Sequence, residues 1–297
     1  MTKYLFIGFV KVFEKIPLKF LKIIFEKLAY MFSLWDRKHK EIARINMGIA
    51  FPGISRGEMD RIIRNTYRNF SWTLAEIMKI GILDDALIDQ KVTFEGTEHL
   101  MDYIEKGEGV FGISGHFGNW EIMAHTFGRN FANFDILVRP QREQFINEYI
   151  YAKHRLSGNG VIEKFDSARE ILRRVRGGKV IGVLMDQDTH LNRGIFVDFF
   201  GLPACTADGI ARIAYMTGVK MVPVLPFRDR NDNSRHIVRF YEPVNPDVQD
   251  KEEFIRLSLK RIHEIFEDGI REQPEQWLWF HRRWRTRPPG ENKIYDI

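Results

Sequence analysis

The chain has 297 residues, of which 44% are hydrophobic and 29% charged, with 23 Gly, 11 Pro and a single cysteine. That composition excludes a collagen-like repeat, a disordered tail and a disulfide scaffold, and the length suits one large α/β domain or two smaller ones. The net charge of +5 is unevenly placed: residues 1–50 hold ten Lys/Arg against four Asp/Glu, which points to an anionic partner such as lipid, nucleic acid or an acidic protein.

Residues 4–35 are strongly apolar but interrupted. Their first uncharged run, Tyr4–Val10, is seven residues, whereas a membrane span needs ~20. No small-residue cleavage site follows, so a signal peptide is not expected. Lys11, Lys15, Lys19, Lys22 and Glu26 recur at helical steps and line one face, and Pro17 divides the stretch into two short helices. The segment either lies in the membrane plane with its lysines at the head groups, or packs on the protein's own core. Residues 39–50 read as a helix that stops at Phe51-Pro52-Gly53. Ser55 with Glu58 forms a capping box for the next helix, whose apolar residues run from Met59 to Met78. From residue 91 strands and helices alternate. Strands are expected at 109–114, 135–138, 179–185, 220–227 and 236–241. Helices are expected at 97–106, 119–128, 142–157, 167–176 (Ser167 and Glu170 as a second capping box), 206–217 and 251–272. This predicts an α/β fold with a mixed central sheet flanked by helices, after a helical membrane-associating N-terminal region. The organisation is a 1–35 amphipathic segment and a 36–297 domain, helical over 36–80 and α/β over 90–297.

Chemistry in such sheets gathers at the carboxyl ends of strands. The richest run there is Gly112-Ile113-Ser114-Gly115-His116-Phe117-Gly118-Asn119-Trp120-Glu121. His116 falls in a glycine-rich turn between a strand and a helix. Glu121, in the first helical turn, can fold back to accept the Nδ1–H of His116 and leave Nε2 free as a general base; the alternative is a polar loop with a hydrogen-bonded histidine. Glycine-rich backbone and the helix N-terminus offer N–H groups to a developing oxyanion. Ser114 is not a nucleophile-elbow serine, because His116 stands where Gly-x-Ser-x-Gly requires glycine. Cys205 has no visible cause for a low pKa and is not expected to be catalytic.

His116-x4-Glu121 in HFGNWE, Arg139-Pro140, Asp186-Gln187-Asp188, Phe199-Phe200-Gly201, Pro223, the stretch Pro274 to Arg283 and Asn46 to Pro52 occur in order along nearly the whole chain. Together they resemble the bacterial lipid A biosynthesis acyltransferases, lauroyl and myristoyl transferases with relatives that acylate mannosylated phosphatidylinositol. Where many members begin with one membrane-spanning helix, this chain has the lysine-broken segment. The resemblance implies a glycerolipid acyltransferase-like fold. It implies transfer of a fatty acyl group from an acyl carrier protein or acyl-CoA thioester to a hydroxyl of a glycolipid such as a lipid A precursor. His116 would be the base, with Glu121 beside it and neither metal nor cofactor required. Arg139, Asp186, Asn119, Arg282 and Arg283 are the substrate-binding candidates, and the expected location is the cytoplasmic face of the inner membrane, peripheral or monotopic.

Other readings stay open on the residues alone. Asp186 and Asp188 could hold a divalent metal and a nucleotide-sugar diphosphate, as in a glycosyltransferase, or Asp186 could brace His116 or Arg139. Phe196, Phe199, Phe200 and Leu202 offer an acyl slot or plain core. The chain could also be a non-enzymatic binder of anionic lipid, although such a binder has no use for a His–Glu pair. Nucleic acid is not an expected partner, since no recognition motif accompanies the basic–aromatic run from His281 to Arg287.

Overall fold

The computed structural model describes residues 3–83, 85–131, 134–163 and 168–296. Helices α1 (Lys3–Lys15) and α2 (Leu18–Trp35) are divided at Pro17 and lead into α3 (Arg37–Ala50) and α4 (Arg56–Lys79). After the short α5 (Asp85–Asp89) come β1 (Val92–Glu95), α6 (Glu98–Glu105), β2 (Val110–Ser114), α7 (Trp120–Asn130), β3 (Phe134–Val138), α8 (Gln144–Leu156), β4 (Gly160–Glu163), α9 (Ala168–Arg176) and β5 (Val180–Leu184). The chain continues as a hairpin, β6 (Gly194–Phe199) and β7 (Leu202–Ala207), then α10 (Gly209–Thr217), β8 (Lys220–Arg228), β9 (His236–Phe240) and α11 (Lys251–Glu272). The mixed sheet with flanking helices is the one expected.

Seven strands form the sheet in the order β1-β9-β8-β2-β5-β3-β4. β8, β2, β5, β3 and β4 run parallel, while β9 pairs antiparallel to β8 and carries β1 parallel to itself. The parallel strands deliver their carboxyl ends to one edge. Alternation along β2 feeds two cores: Phe111 and Ile113 join the larger one, with α3, α4, α10 and α11, whereas Val110 joins a second with α6 and α7. The β6–β7 hairpin was not expected; it turns at Phe200 (φ 54°) and Gly201 (φ 74°). Phe199 is fully buried against Trp277 and Trp284, so it serves as core.

Ser55 caps α4 by accepting from Glu58 N–H at 3.2 Å, but the Glu58 carboxylate turns to Arg61 and the reciprocal half of the capping box is not made. The expected Ser167 cap lies outside the described residues. Val10 and Leu21 pack with Ala75 and Met78 of α4, which seats α1 and α2 on the domain. Phe6, Phe13, Leu18 and Phe25 are partly buried against the same cluster, while Tyr4, Leu5, Phe9, Phe20, Phe32 and Trp35 are exposed. Lys11, Lys15 and Lys19 are exposed too. Lys22 departs from the single charged face: on α2 it shares with Glu26 the side turned to α4, where its ammonium meets Glu76 at 2.5 Å and Glu26 accepts from Trp72 Nε1 at 3.0 Å. Among the described residues no helix is long and apolar enough to cross a membrane.

Candidate active site

The register Ser114↔Leu184 between parallel neighbours β2 and β5 places His116 and Asp186 at matching heights, two residues beyond the strand ends. His116 Nδ1 lies 2.8 Å from Asp186 Oδ1, and the backbone N–H of His116 donates to Asp186 Oδ2 at 2.9 Å. Trp277 Nε1 donates to the same Oδ2 at 2.9 Å. Asp186 is thus ionised and fully engaged. Burial alone would raise its pKa, but the His116 charge and these donors bring it down to about 2. Burial alone would lower the His116 pKa; the Asp186 charge and hydrogen bond, with a smaller contribution from Glu121, raise it instead. With Nδ1–H given to Asp186, Nε2 is the free basic atom, on a side chain that is 23% exposed.

The turn is built for close approach. A Cβ on Gly115 would meet Asp186 at 3.1 Å, and Gly118, at φ +51°, has the Pro226 carbonyl 1.8 Å from where its Cβ would stand. The Pro274–Trp279 segment lies alongside: Gly118 N–H donates to the Gln276 carbonyl, Leu278 N–H donates to the His116 carbonyl, and Phe117 bridges Trp277. Asn46 of α3 fastens that segment by donating to the carbonyls of Trp279 (2.7 Å) and His281 (2.8 Å), while its own oxygen accepts from Tyr295. Asn46, the first residue of the Asn46–Pro52 motif, is thereby a buried support of the segment beside the site.

Glu121 does not reach Nδ1 of His116. Asn119 caps α7 by accepting from Ile122 N–H, so Glu121 is the second helical residue and points the other way. Its carboxylate accepts from Trp120 Nε1 at 3.1 Å and lies 3.4 Å from Nε2 of His154 on α8. Burial lowers the His154 pKa, against the opposing pull of Glu121. The place expected for Glu121 is taken by Asp186, seventy residues away in sequence.

Glu121, Trp120 and His154 share the wall of an apolar cavity of about 90 Å³ between α7 and the sheet. Its floor includes Gly112 and Gly182, paired across β2 and β5, and the buried Ser114 hydroxyl, which has no protein partner, stands in the same wall. The His116 and Trp120 rings meet in a T-shaped arrangement with centroids 5.1 Å apart, so His116 adjoins a residue of the cavity wall.

The other expected contacts separate into two groups. Arg139 is exposed just beyond β3, and Arg282 is partly exposed near the C-terminal segment. Asn119 and Arg283 are fully buried. The Asn119 amide donates to Glu76, and Arg283 donates to the Cys205 carbonyl and Thr206 Oγ1, so neither presents itself to a substrate. Asp188 faces Thr286 and Arg285 and Asp186 faces His116 and Trp277, so the Asp-x-Asp carboxylates do not converge. Among the described residues no group of three or more His, Cys, Asp or Glu side chains is placed to hold a metal ion. Trp277, His154 and Glu76 were not anticipated; only Trp277, inside a recognised block, carried any signal.

A carboxylate-oriented histidine in a glycine turn, beside an apolar cavity at the carboxyl edge of the sheet, suits acyl transfer. The family model described as bacterial lipid A biosynthesis acyltransferase matches residues 1–286, and the chain belongs to that family. It is 22% identical over 290 residues to the lipid A biosynthesis palmitoleoyltransferase of Escherichia coli (strain K12), covering 97% of this chain and 92% of that one. It is 24% identical to the lauroyltransferase of the same organism (91% and 85% covered) and 23% identical to its myristoyltransferase (94% and 85%). The protein is an acyltransferase.

Proposed function

We propose that the enzyme moves a fatty acyl chain from an acyl carrier protein or acyl-CoA thioester to a hydroxyl of a lipid A precursor or similar glycolipid, with His116 as general base. The observation that carries this reading is the His116–Asp186 pair adjoining the apolar cavity. His116 Nε2 takes the proton of the acceptor hydroxyl as its oxygen attacks the thioester carbonyl. Asp186 stabilises the imidazolium that forms and keeps the ring in the reactive tautomer. Collapse of the tetrahedral intermediate breaks the C–S bond, and the imidazolium returns its proton to the departing sulfur, giving an ester and a free thiol. The acyl chain lies against Gly112 and Gly182, and Glu121 with His154 supplies the polar wall near the carbonyl end. Arg139 and Arg282, near the carboxyl edge of the sheet, suit acceptor phosphates.

The exposed apolar faces of α1 and α2, with Lys11, Lys15 and Lys19, suit peripheral attachment to an anionic inner-membrane surface on its cytoplasmic side. A lipid acceptor leaves the bilayer only at ~0.8 kcal/mol per exposed CH₂, so an enzyme at the interface avoids that cost. The divided partners of Asp186 and Asp188 favour this reading over a metal-dependent glycosyltransferase. The test is acyl transfer by the purified protein from an acyl carrier protein thioester to a lipid A precursor, followed by mass spectrometry. His116→Ala should lower turnover by about 10²–10⁴-fold and EDTA should leave it unchanged. A His116→Ala enzyme with more than about a tenth of wild-type turnover would remove His116 as the base.

A further inference from the structure

A buried cluster of charges joins α2 to the turn that carries His116. Glu76 of α4 is 4% exposed. Its two carboxylate oxygens receive both terminal nitrogens of Arg228 at 2.8 Å, the Asn119 amide at 2.6 Å and the Lys22 ammonium at 2.5 Å, with His236 Nε2 at 3.7 Å. Lys22 enters this socket beside the Trp72 ring and within 3.4 Å of the Asn233 carbonyl. One helical turn earlier on α4, Thr73 donates to the Gly118 carbonyl at 3.2 Å. Asn119 is also the N-cap of α7, three residues beyond His116. One carboxylate therefore touches both the helix that faces outward with exposed apolar residues and the residue that fixes where the catalytic turn becomes a helix.

We propose that Glu76 is a positioning residue for the His116 turn, and that Lys22 connects the seating of α2 to that turn through Glu76 and Asn119. The inference rests on the reading of His116 as base and of α1–α2 as the membrane hold, and deepens it: docking and catalytic geometry become one coupled property. Glu76→Gln is a poor test, because it leaves Arg228 and Lys22 buried without a counter-charge and threatens the fold. Lys22 can be removed safely, since Glu76 keeps Arg228. Asn119→Ser is the complementary change; serine still caps α7 but cannot reach across to Glu76.

The experiment is a double-mutant cycle on the full chain, assayed with an acyl carrier protein thioester and a detergent-dispersed lipid A precursor. Lys22→Met and Asn119→Ser should each lower kcat by about tenfold, with KM for the thioester within about twofold, because alignment and not binding is lost. The double variant should be no more than about twofold slower than the slower single one, since both changes cut the same connection. Lys22→Arg should restore at least about a third of kcat, and flotation of Lys22→Met on phosphatidylglycerol vesicles should match wild type. Losses that multiply, a single variant with wild-type kcat, or a Lys22→Met protein that loses flotation but keeps its kcat in detergent would each overturn the proposal; the last would make Lys22 a lipid contact. His116→Ala run alongside separates the two levels. If that variant is active, the underlying reading fails, whereas an inactive His116→Ala with multiplicative losses in the cycle refutes the positioning role alone.

Discussion

Asp186→Asn is the most informative single change at the site. The wild-type carboxylate is buried and accepts from the His116 ring, the His116 backbone and Trp277. Burial opposes ionisation, and the His116 charge with these donors outweighs it, holding the carboxyl at about 2, below its ordinary 3.8. In the proposed reaction the Asp186 charge faces a developing imidazolium. The asparagine removes the attraction and no longer enforces the Nδ1–H tautomer, so kcat should fall by about 10²–10⁴-fold with a folded protein. The sign of the pH effect follows from the base needing to be neutral. Activity falls as pH drops through the His116 pKa, which in the wild type is raised above its ordinary 6.5. Asp186→Asn should therefore move the acidic limb of kcat/KM to lower pH while depressing the plateau. Glu121→Gln should move that limb less, because the Glu121 charge is the smaller of the two influences on His116. The assay is initial-rate acyl transfer between about pH 5 and 9, a range that brackets an ordinary histidine. An Asp186→Asn enzyme with more than about a third of wild-type kcat, or with an unmoved limb, would refute the role given to this carboxylate.

Three further outcomes follow from the geometry. Gly112 has only the Gly182 Cα, at 4.0 Å, near the place of a Cβ, so Gly112→Val should fold and partly fill the slot; competition among acyl thioesters should show the preferred donor shortened by about two carbons or more, and an unchanged preference would place the acyl chain elsewhere. Deleting residues 1–35 should release the protein from anionic vesicles and cost more activity on a bilayer acceptor than on a short-chain one dispersed in detergent, as comparative flotation and rate measurements would show; equal flotation would move the membrane contact to another surface. Asn46→Ala leaves two carbonyls and the Tyr295 hydroxyl without their buried partner and should cost about 2–4 kcal/mol in a denaturant titration, with no measurable loss arguing that the C-terminal segment is held by its tryptophans alone.

The strand–turn–helix of the site was legible because β2 is an apolar run ending in glycines and α7 begins with a capping residue. α11 matched its expected bounds for a similar reason, a long periodic apolar face. β1 and β4 are four residues each, too short for alternation to register, and the β6–β7 hairpin turns at Phe200-Gly201, where a phenylalanine occupies a backbone conformation that turn chemistry gives to glycine or asparagine. The contact expected between Glu121 and His116 is not made, for a local reason. Proximity in sequence favoured Glu121, but the Asn119 cap rotates that side chain toward α8. Asp186 was among the readings as a brace for His116 or Arg139, and the β2–β5 pairing selects His116 and gives Asp186 the place expected of Glu121. Lys22 was misassigned because its counter-charge, Glu76, comes from α4, a pairing that spacing along one helix does not show.

The hold of Asn46 on the Trp279–His281 backbone, and of Trp277 on Asp186, also sets an order in time. A chain made from its N-terminus exposes α1 and α2 first and can meet a membrane while most of the sheet is still unmade. The carboxylate that orients His116 receives its tryptophan donor only when residues near 277 have left the ribosome, and the clasp at Asn46 closes later still, with Tyr295 at the far end of the chain. A product cut short by even thirty residues would therefore carry all of α1 and α2 with their exposed apolar side chains, but neither the Trp277 donor to Asp186 nor the Tyr295 end of the clasp.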